Sequence, residues 1–266
     1  DLEKSALMAV DEVNQSEEFD FTFTPHLRDP GGVVPSYHVA CDDLIRQEKV
    51  EHIVGCYTSA SRKQVIPIVE RTERLLWYPA RYEGFESSDN VIYVGAAPNH
   101  AVVPLLKHML ERITSDVFCA GSNYVWTWET NRVLREIVTQ AGGRILAERL
   151  LELGETAVDH IVKEIIERKP PAVFNTLVGQ SSYAFMRALH EASSRAGLSI
   201  PMLSCSLCEP ELKMIGAAAS VGCITSSAYF ESIESPENRA FVARWKARYG
   251  TDSHVSVDGQ STYVCV

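Results

Sequence analysis

Short apolar strands alternate with amphipathic helices along nearly the whole of this sequence, and no other feature restricts the fold as tightly. Leu2, Ala6, Ala9, Val10 and Val13 recur at helical spacing, while Phe21-Thr22-Phe23-Thr24 alternates like a strand before the Asp29-Pro30-Gly31-Gly32 turn. Tyr37, Cys41, Leu44 and Ile45 mark the next helix face. Strands are then expected at His52 to Cys56, Leu75 to Tyr78, Val91 to Val94, Val117 to Ala120, Ile145 to Leu150, Ala172 to Val178, Met202 to Ser206 and Val221 to Phe230. Helical spacing returns between them, from Ser59 to Glu73, His100 to Ile113 and Thr127 to Ala141, and from starts near Thr156, Ser181, Glu209 and Pro236.

Strict β/α alternation with short loops makes an α/β fold whose parallel sheets are covered by helices on both faces, and ligands of such sheets bind beyond the carboxyl ends of the strands. Roughly nine strands are many for one open sheet of this length, so two Rossmann-like lobes with about five strands each are expected. The boundary falls near Ser115: a first lobe over 1–115, a second over 116–228, and a crossover over 229–266 that returns towards the first lobe. No fixed-period repeat and no Pro- or Ser-rich linker is visible, which predicts strands crossing between lobes and hinge closure as the motion. The chain opens directly in a helix and closes in apolar Tyr263-Val264-Cys265-Val266, so it reads as truncated at both ends and lacking a first strand.

Composition narrows the function classes. With 25 Lys and Arg against 35 Asp and Glu, the formal charge is −10, and no basic patch is concentrated anywhere, so direct nucleic-acid binding is not expected. No apolar run approaches the roughly 20 residues that span a bilayer. Seven Cys cannot all pair within the chain, and most lie in apolar patterns where Cys acts as a small hydrophobe, which points to a reducing compartment and hence the cytoplasm, with the periplasm as the alternative.

The residues that could carry chemistry collect at strand ends. Gly55-Cys56-Tyr57-Thr58-Ser59-Ala60-Ser61-Arg62-Lys63 runs from a strand into a helix, where Ser59 either caps free backbone N–H groups or presents its hydroxyl to a ligand. Tyr57, then Trp77-Tyr78-Pro79-Ala80, then Tyr124-Val125-Trp126 after Gly121-Ser122-Asn123 add aromatic walls suited to a small, neutral, partly apolar solute. Arg62, Lys63, Arg71 and Arg74 share a helix with Glu70 and Glu73, which reads as a solvated, ion-paired face. Catalytic signatures are missing: there is no Gly-x-Ser-x-Gly elbow, no phosphate loop and no dinucleotide turn. An amide-hydrolysing reading would use Cys56 or Ser59 as nucleophile and Glu83 as base, with no spacing that pairs them. Cys205-Ser206-Leu207-Cys208 has the spacing of half a zinc site without the other half. No catalytic residue, metal or cofactor is therefore assigned.

Gly55 to Lys63, Tyr78-Pro79-Ala80-Arg81-Tyr82-Glu83-Gly84, Gly95-Ala96-Ala97-Pro98-Asn99, Gly121-Ser122-Asn123-Tyr124, Val173-Phe174-Asn175-Thr176 and Ser235-Pro236-Glu237-Asn238-Arg239-Ala240-Phe241-Val242 together resemble one family. It comprises the amide-sensing negative regulators of aliphatic amidase expression and the urea and short-chain amide receptors of ABC importers. The resemblance implies a type I periplasmic-binding-protein fold that closes on a small neutral amide or urea held between the lobes. The ligand-binding residues it implies are Tyr57, Ser59, Tyr78, Ala80, Tyr124 and Trp126, with Gly179 and Ser206 from the second lobe. Relatives of the amide sensor carry Thr where this chain has Ala80 and Tyr where it has Trp126, so the ligand need not be acetamide. The Gly55-Cys56-Tyr57 form resembles the sensor more than the importer receptors, many of which have Trp at the Tyr57 position. The expected function is thus a cytoplasmic sensor acting on a regulatory protein partner. The alternative is a periplasmic receptor acting on a membrane permease, and an amide hydrolase ranks last. An oligomer is compatible with each.

Overall fold

The computed structural model describes residues 1–266, and contacts divide them into two units, Asp1–Ala96 with Glu231–Val266, and Ala97–Phe230. In the first unit, α1 (Leu2–Gln15) and α2 (Val34–Arg46) precede β1 (His52–Val54), α3 (Ser59–Thr72), β2 (Leu75–Tyr78) and β3 (Val91–Tyr93). The three strands, rich in β-branched and aromatic residues, form a parallel sheet in the order β1-β2-β3, with Val54 opposite Trp77 and Tyr78 opposite Tyr93. Cys41 and Ile45 of α2 and Val65, Ile68 and Val69 of α3 close over Leu76 and Tyr78. The start of α3 is fixed by a reciprocal cap: the Thr58 hydroxyl accepts from the Ser61 amide, and the Thr58 amide donates to the Ser61 hydroxyl, each at 3.1 Å.

Residues 21–24 form no strand, contrary to their alternation. A strand needs a ladder partner; here the Phe23 amide donates to Asn14 Oδ1 at 2.7 Å and its carbonyl accepts from Asn14 Nδ2 at 2.8 Å. Phe19, Phe21 and Phe23 pack on one another and stay partly exposed.

The second unit contains α4 (Pro98–Arg112), β4 (Asp116–Ser122), α5 (Val125–Gln140), β5 (Arg144–Leu151), α6 (Asp159–Arg168), β6 (Val173–Thr176), α7 (Gln180–Ala196), β7 (Met202–Ser204), α8 (Glu209–Ile215), α9 (Ala217–Ser220) and β8 (Cys223–Thr225). Its five strands are all parallel, in the order β5-β4-β6-β7-β8. The chain direction across the sheet therefore reverses beside β4, and the crevice between the carboxyl ends of β4 and β6 is the topological switch point, the place where open α/β sheets take ligands. Phe118, Ile161, Phe185 and Leu189 pack one face, and Leu106, Met109, Leu134 and Phe174 the other.

The chain then returns to the first unit as α10 (Pro236–Tyr249) and α11 (Val257–Cys265). Two expectations change. Helix α4 belongs to the second unit, because Val102, Leu105, Leu106 and Met109 share a core with Val117, Cys119 and Leu134; the contact division accordingly falls at Ala96/Ala97 instead of near Ser115. The strands number eight, in sheets of three and five, instead of roughly nine in sheets of about five.

Candidate functional site

In the first unit the turn after β1 is built on unusual backbone. Cys56 holds φ 66° without being glycine, a conformation that is rarely populated and clusters at functional sites. It lifts Tyr57, half exposed, beyond the strand end. Thr58 is the α3 cap and Ser59 the first helical residue, so of the two readings open for Ser59 the cap is removed. The Ser59 hydroxyl, 3% exposed, donates to Glu83 Oε2 at 2.6 Å. Tyr78 and Ala80, also expected in the site, are core residues at 0% and 2% exposure. Their strand end is pinned from β3: a Cβ added to Gly95 would lie 1.9 Å from the Ala80 carbonyl oxygen, so only glycine permits that approach.

Arg62 is the second correction. It lies not on a solvated face but at 0% exposure, donating from Nη2 to Glu83 Oε1 at 2.9 Å and from Nε to Glu86 Oε1 at 2.6 Å. Its guanidinium carbon sits 4.6, 5.6 and 5.8 Å from the ring centres of Tyr78, Tyr82 and Tyr93, and Tyr82 stacks on Tyr93 at 4.4 Å. Lys63 adds ion pairs to Glu83, at 3.4 Å, and to Glu86. Burial would raise the Glu86 carboxyl, but hydrogen bonds from Arg62, Lys63 and Tyr93 and the Arg62 charge outweigh it and hold it at about 2. The Tyr93 hydroxyl, which donates to Glu86 at 2.8 Å, is pushed up by burial and by that carboxylate. A buried arginine is tolerated because two carboxylates and three aromatic faces replace its water. Arg62-Lys63 followed by the Glu83-x-x-Glu86 pair is the only sequence trace of this arrangement.

In the second unit the carboxyl ends of β4, β6 and β7 carry a buried polar network. The Val178 amide donates to Ser122 Oγ at 3.0 Å, the Leu177 amide to Asn175 Oδ1 at 3.0 Å, and Asn175 Nδ2 to Ser182 Oγ at 2.8 Å. Ser206, an expected site residue, is partly exposed and held by Ser204, whose hydroxyl accepts from the Ser206 amide at 3.3 Å. Gly179 caps α7 at φ 58° and is exposed; Tyr124 caps α5 and is partly exposed. Trp126, expected as a wall of the site, is 7% exposed and packs in the core with Leu134 and Phe174. The exposed indole is Trp128, at 49%, whose Nε1 donates to Asn123 Oδ1 at 3.1 Å. Two residues apart on a helix, the pair must face different ways; the sequence shows both but not which is turned inward.

None of the seven cysteines is in a disulfide. Burial raises the Cys56 thiol to about 12, which leaves it protonated near neutrality and unsuited to act as a nucleophile. No group of three or more His, Cys, Asp or Glu side chains is placed to hold a metal ion, and no helix is long and apolar enough to cross a membrane.

The comparisons with known proteins agree with one another. A model of the periplasmic binding protein domain matches residues 1–266. A protein of Brucella abortus (strain 2308) called Leu/Ile/Val-binding protein homolog 6 is 22% identical over 225 residues, covering 83% of this chain and 57% of the relative. The chain thus spans a little over half the length of the curated relatives it matches. Among solved structures, a solute binding protein of an ABC transporter from Rhodopseudomonas palustris BisB5, in complex with 3,4-dihydroxybenzoic acid, superposes with a TM-score of 0.88 at 17% identity, over 99% of this chain and 72% of that one. Another from R. palustris, in complex with 4-hydroxybenzoate, gives 0.84 at 20% identity over 99% and 72%. A leucine binding protein from Thermotoga maritima MSB8 gives 0.82 at 17% identity over 99% and 75%. At these identities the superpositions speak for the fold.

Proposed function

Since the chain belongs to the periplasmic binding protein domain family, which matches residues 1–266, we propose that it serves as the solute-binding component of an ABC importer, holding a small organic molecule and presenting it to a membrane permease. The observation that carries this reading is the gathering of polar and aromatic groups at strand carboxyl ends: Tyr57 and Ser59 in the first unit, Asn123, Tyr124 and Ser206 in the second. The cytoplasmic sensor favoured by the family resemblance gives way, because two of the relatives are named as solute binding proteins of ABC transporters and the other two as Leu/Ile/Val-binding and leucine binding proteins. The location moves with it to the periplasm. Free thiols are compatible with an oxidising compartment here, since Cys41, Cys119, Cys205, Cys208 and Cys265 are buried and thiolate formation is suppressed where burial raises the pKa, as at Cys41 and Cys265, both about 12.

Within this function the ligand assigned is a small neutral amide or urea. The cations near the strand ends of the first unit are already ion-paired, Arg62 and Lys63 with Glu83 and Glu86, and Arg81 with Asp258 at 3.1 Å, which favours a neutral solute over a free carboxylate. A thermal-shift panel of acetamide, propionamide, urea, leucine and 4-hydroxybenzoate tests both levels. A ligand at 100 times its Kd stabilises by about 2.7 kcal/mol, and the amides or urea are expected to produce that shift. A response to leucine or 4-hydroxybenzoate alone replaces the ligand class and keeps the importer role; no response to any small solute removes the role itself. Ammonia release from the bound amide is expected to stay at background.

A further inference from the structure

Ser59 is fixed by more than its own backbone. Its hydroxyl hydrogen points to Glu83 Oε2 at 2.6 Å, the other oxygen of that carboxylate accepts from Arg62 at 2.9 Å, and all three side chains are at most 3% exposed. A serine hydroxyl has one hydrogen to give and two lone pairs to receive. An ionised carboxylate can only accept, so while Glu83 stays in its ion pair the Ser59 hydrogen is committed to it, and Ser59 can meet a third group only through its lone pairs.

From this geometry we infer that Glu83 is a positioning residue that sets the polarity of Ser59, making it an acceptor that selects ligands bearing N–H and discriminates against isosteres that bear only oxygen. The inference rests on the reading of Ser59 as a ligand contact and adds to it a direction of hydrogen bonding. Arg62 and Lys63 hold the Glu83 carboxylate in place; the Thr58–Ser61 cap, which does not involve Ser59, leaves the Ser59 side chain free for this role. In Glu83→Gln the amide can donate to Ser59 Oγ, releasing the hydroxyl hydrogen towards the ligand and reversing its preference.

The test uses acetamide and acetate, which have the same shape and differ in one –NH₂ against one oxygen and in acetate's negative charge, with affinities measured by calorimetry on wild type, Ser59→Ala, Glu83→Gln and the double variant, the last separating the two differences. Wild type is expected to prefer acetamide; Ser59→Ala is expected to lower the acetamide-to-acetate affinity ratio by roughly tenfold, the effect of one lost hydrogen bond. Glu83→Gln is expected to lower it at least as much, and to have no effect on the ratio once Ser59 is alanine. An equal effect of Glu83→Gln in the Ser59→Ala background means that the lost charge acts directly on acetate, and overturns the inference. If Glu83→Gln does not fold, Ser59→Ala and Ser59→Thr decide: the threonine, which keeps the acceptor, must retain the ratio and the alanine must lose it. Acetamide binding unchanged in Ser59→Ala removes Ser59 from the site, and absence of acetamide binding to wild type removes the amide reading together with this inference.

Discussion

The Arg62 guanidinium carbon lies 4.6 Å from the centre of the Tyr78 ring, and neither side chain is exposed. The strand end that the sequence marks as a ligand wall is therefore the floor beneath a buried cation, and the two residues stabilise the turn that carries Tyr57 and Ser59. Removing one partner of a buried ion pair costs about 3–5 kcal/mol, because the carboxylates left behind lose their counter-charge. Arg62→Ala is expected to lose about that much in urea unfolding, with Arg62→Lys in between, since lysine keeps the charge but loses the forked bonds to Glu83 and Glu86. A loss below about 1 kcal/mol in Arg62→Ala, the range of exposed pairs, contradicts the arrangement.

Glu86 provides a pH signature. Its folded carboxyl is held at about 2 against an ordinary 4.5, so the folded protein binds this proton less tightly than the unfolded chain does. The resulting stabilisation is complete above 4.5 and is lost as pH falls through about 2. The stability difference between wild type and Glu86→Gln is expected to be constant from neutrality down to that upper value and to shrink below it. A difference that grows as pH falls reverses the sign and refutes the assignment.

Trp126 and Trp128 separate core from surface. Trp126→Ala is expected to cost about 3–5 kcal/mol, the range for emptying a buried aromatic site, whereas Trp128→Ala, at 49% exposure, is expected to cost well under that. Acrylamide quenching of the two single Trp→Phe variants gives the same order: quenching falls more when Trp128 is replaced.

Gly95→Ala places a methyl group 1.9 Å from the Ala80 carbonyl oxygen and 2.6 Å from that of Pro79. Backbone cannot swing aside as a side-chain tip can, so a loss of at least about 1–3 kcal/mol is expected in urea unfolding. Wild-type stability in Gly95→Ala would mean that β2 and β3 are not held at this separation.

Thiol chemistry is expected to be slow in the folded protein. With Cys41, Cys56 and Cys265 raised to about 12 and Cys223 to about 11, all by burial, Ellman's reagent at pH 8 should react sluggishly until denaturant is added, and then titrate seven thiols. A fast native phase identifies a thiolate that this packing does not allow.

How much of this was legible beforehand differs between fold and site. The alternation located all eight strands, with β2 matched at both ends and β8 ending at Thr225 instead of Phe230, because a strand buried between helices writes its own apolar run. The same reasoning failed at residues 21–24, where the period-2 pattern was present and the ladder was not. At the candidate site, the sequence shows Tyr57 and Ser59 on a strand-to-helix turn and leaves Ser59 as either cap or ligand contact; the cap is Thr58. The helix pattern around Arg62 includes Lys63 and Glu70, which are exposed, and so predicts a solvated Arg62 where the structure buries it.

The sequence by itself determined the α/β class and the parallel sheets, since these follow from local periodicity and from the chirality of short crossovers. Only the tertiary structure decided which sheet α4 covers, which of Trp126 and Trp128 turns inward, and that Arg62 is buried. Those outcomes depend on groups far apart in the chain: Glu83 and Glu86 lie 21 and 24 residues beyond Arg62. A charge can leave water only where counter-charges from other elements converge on it, and that convergence has no local period for a sequence to display.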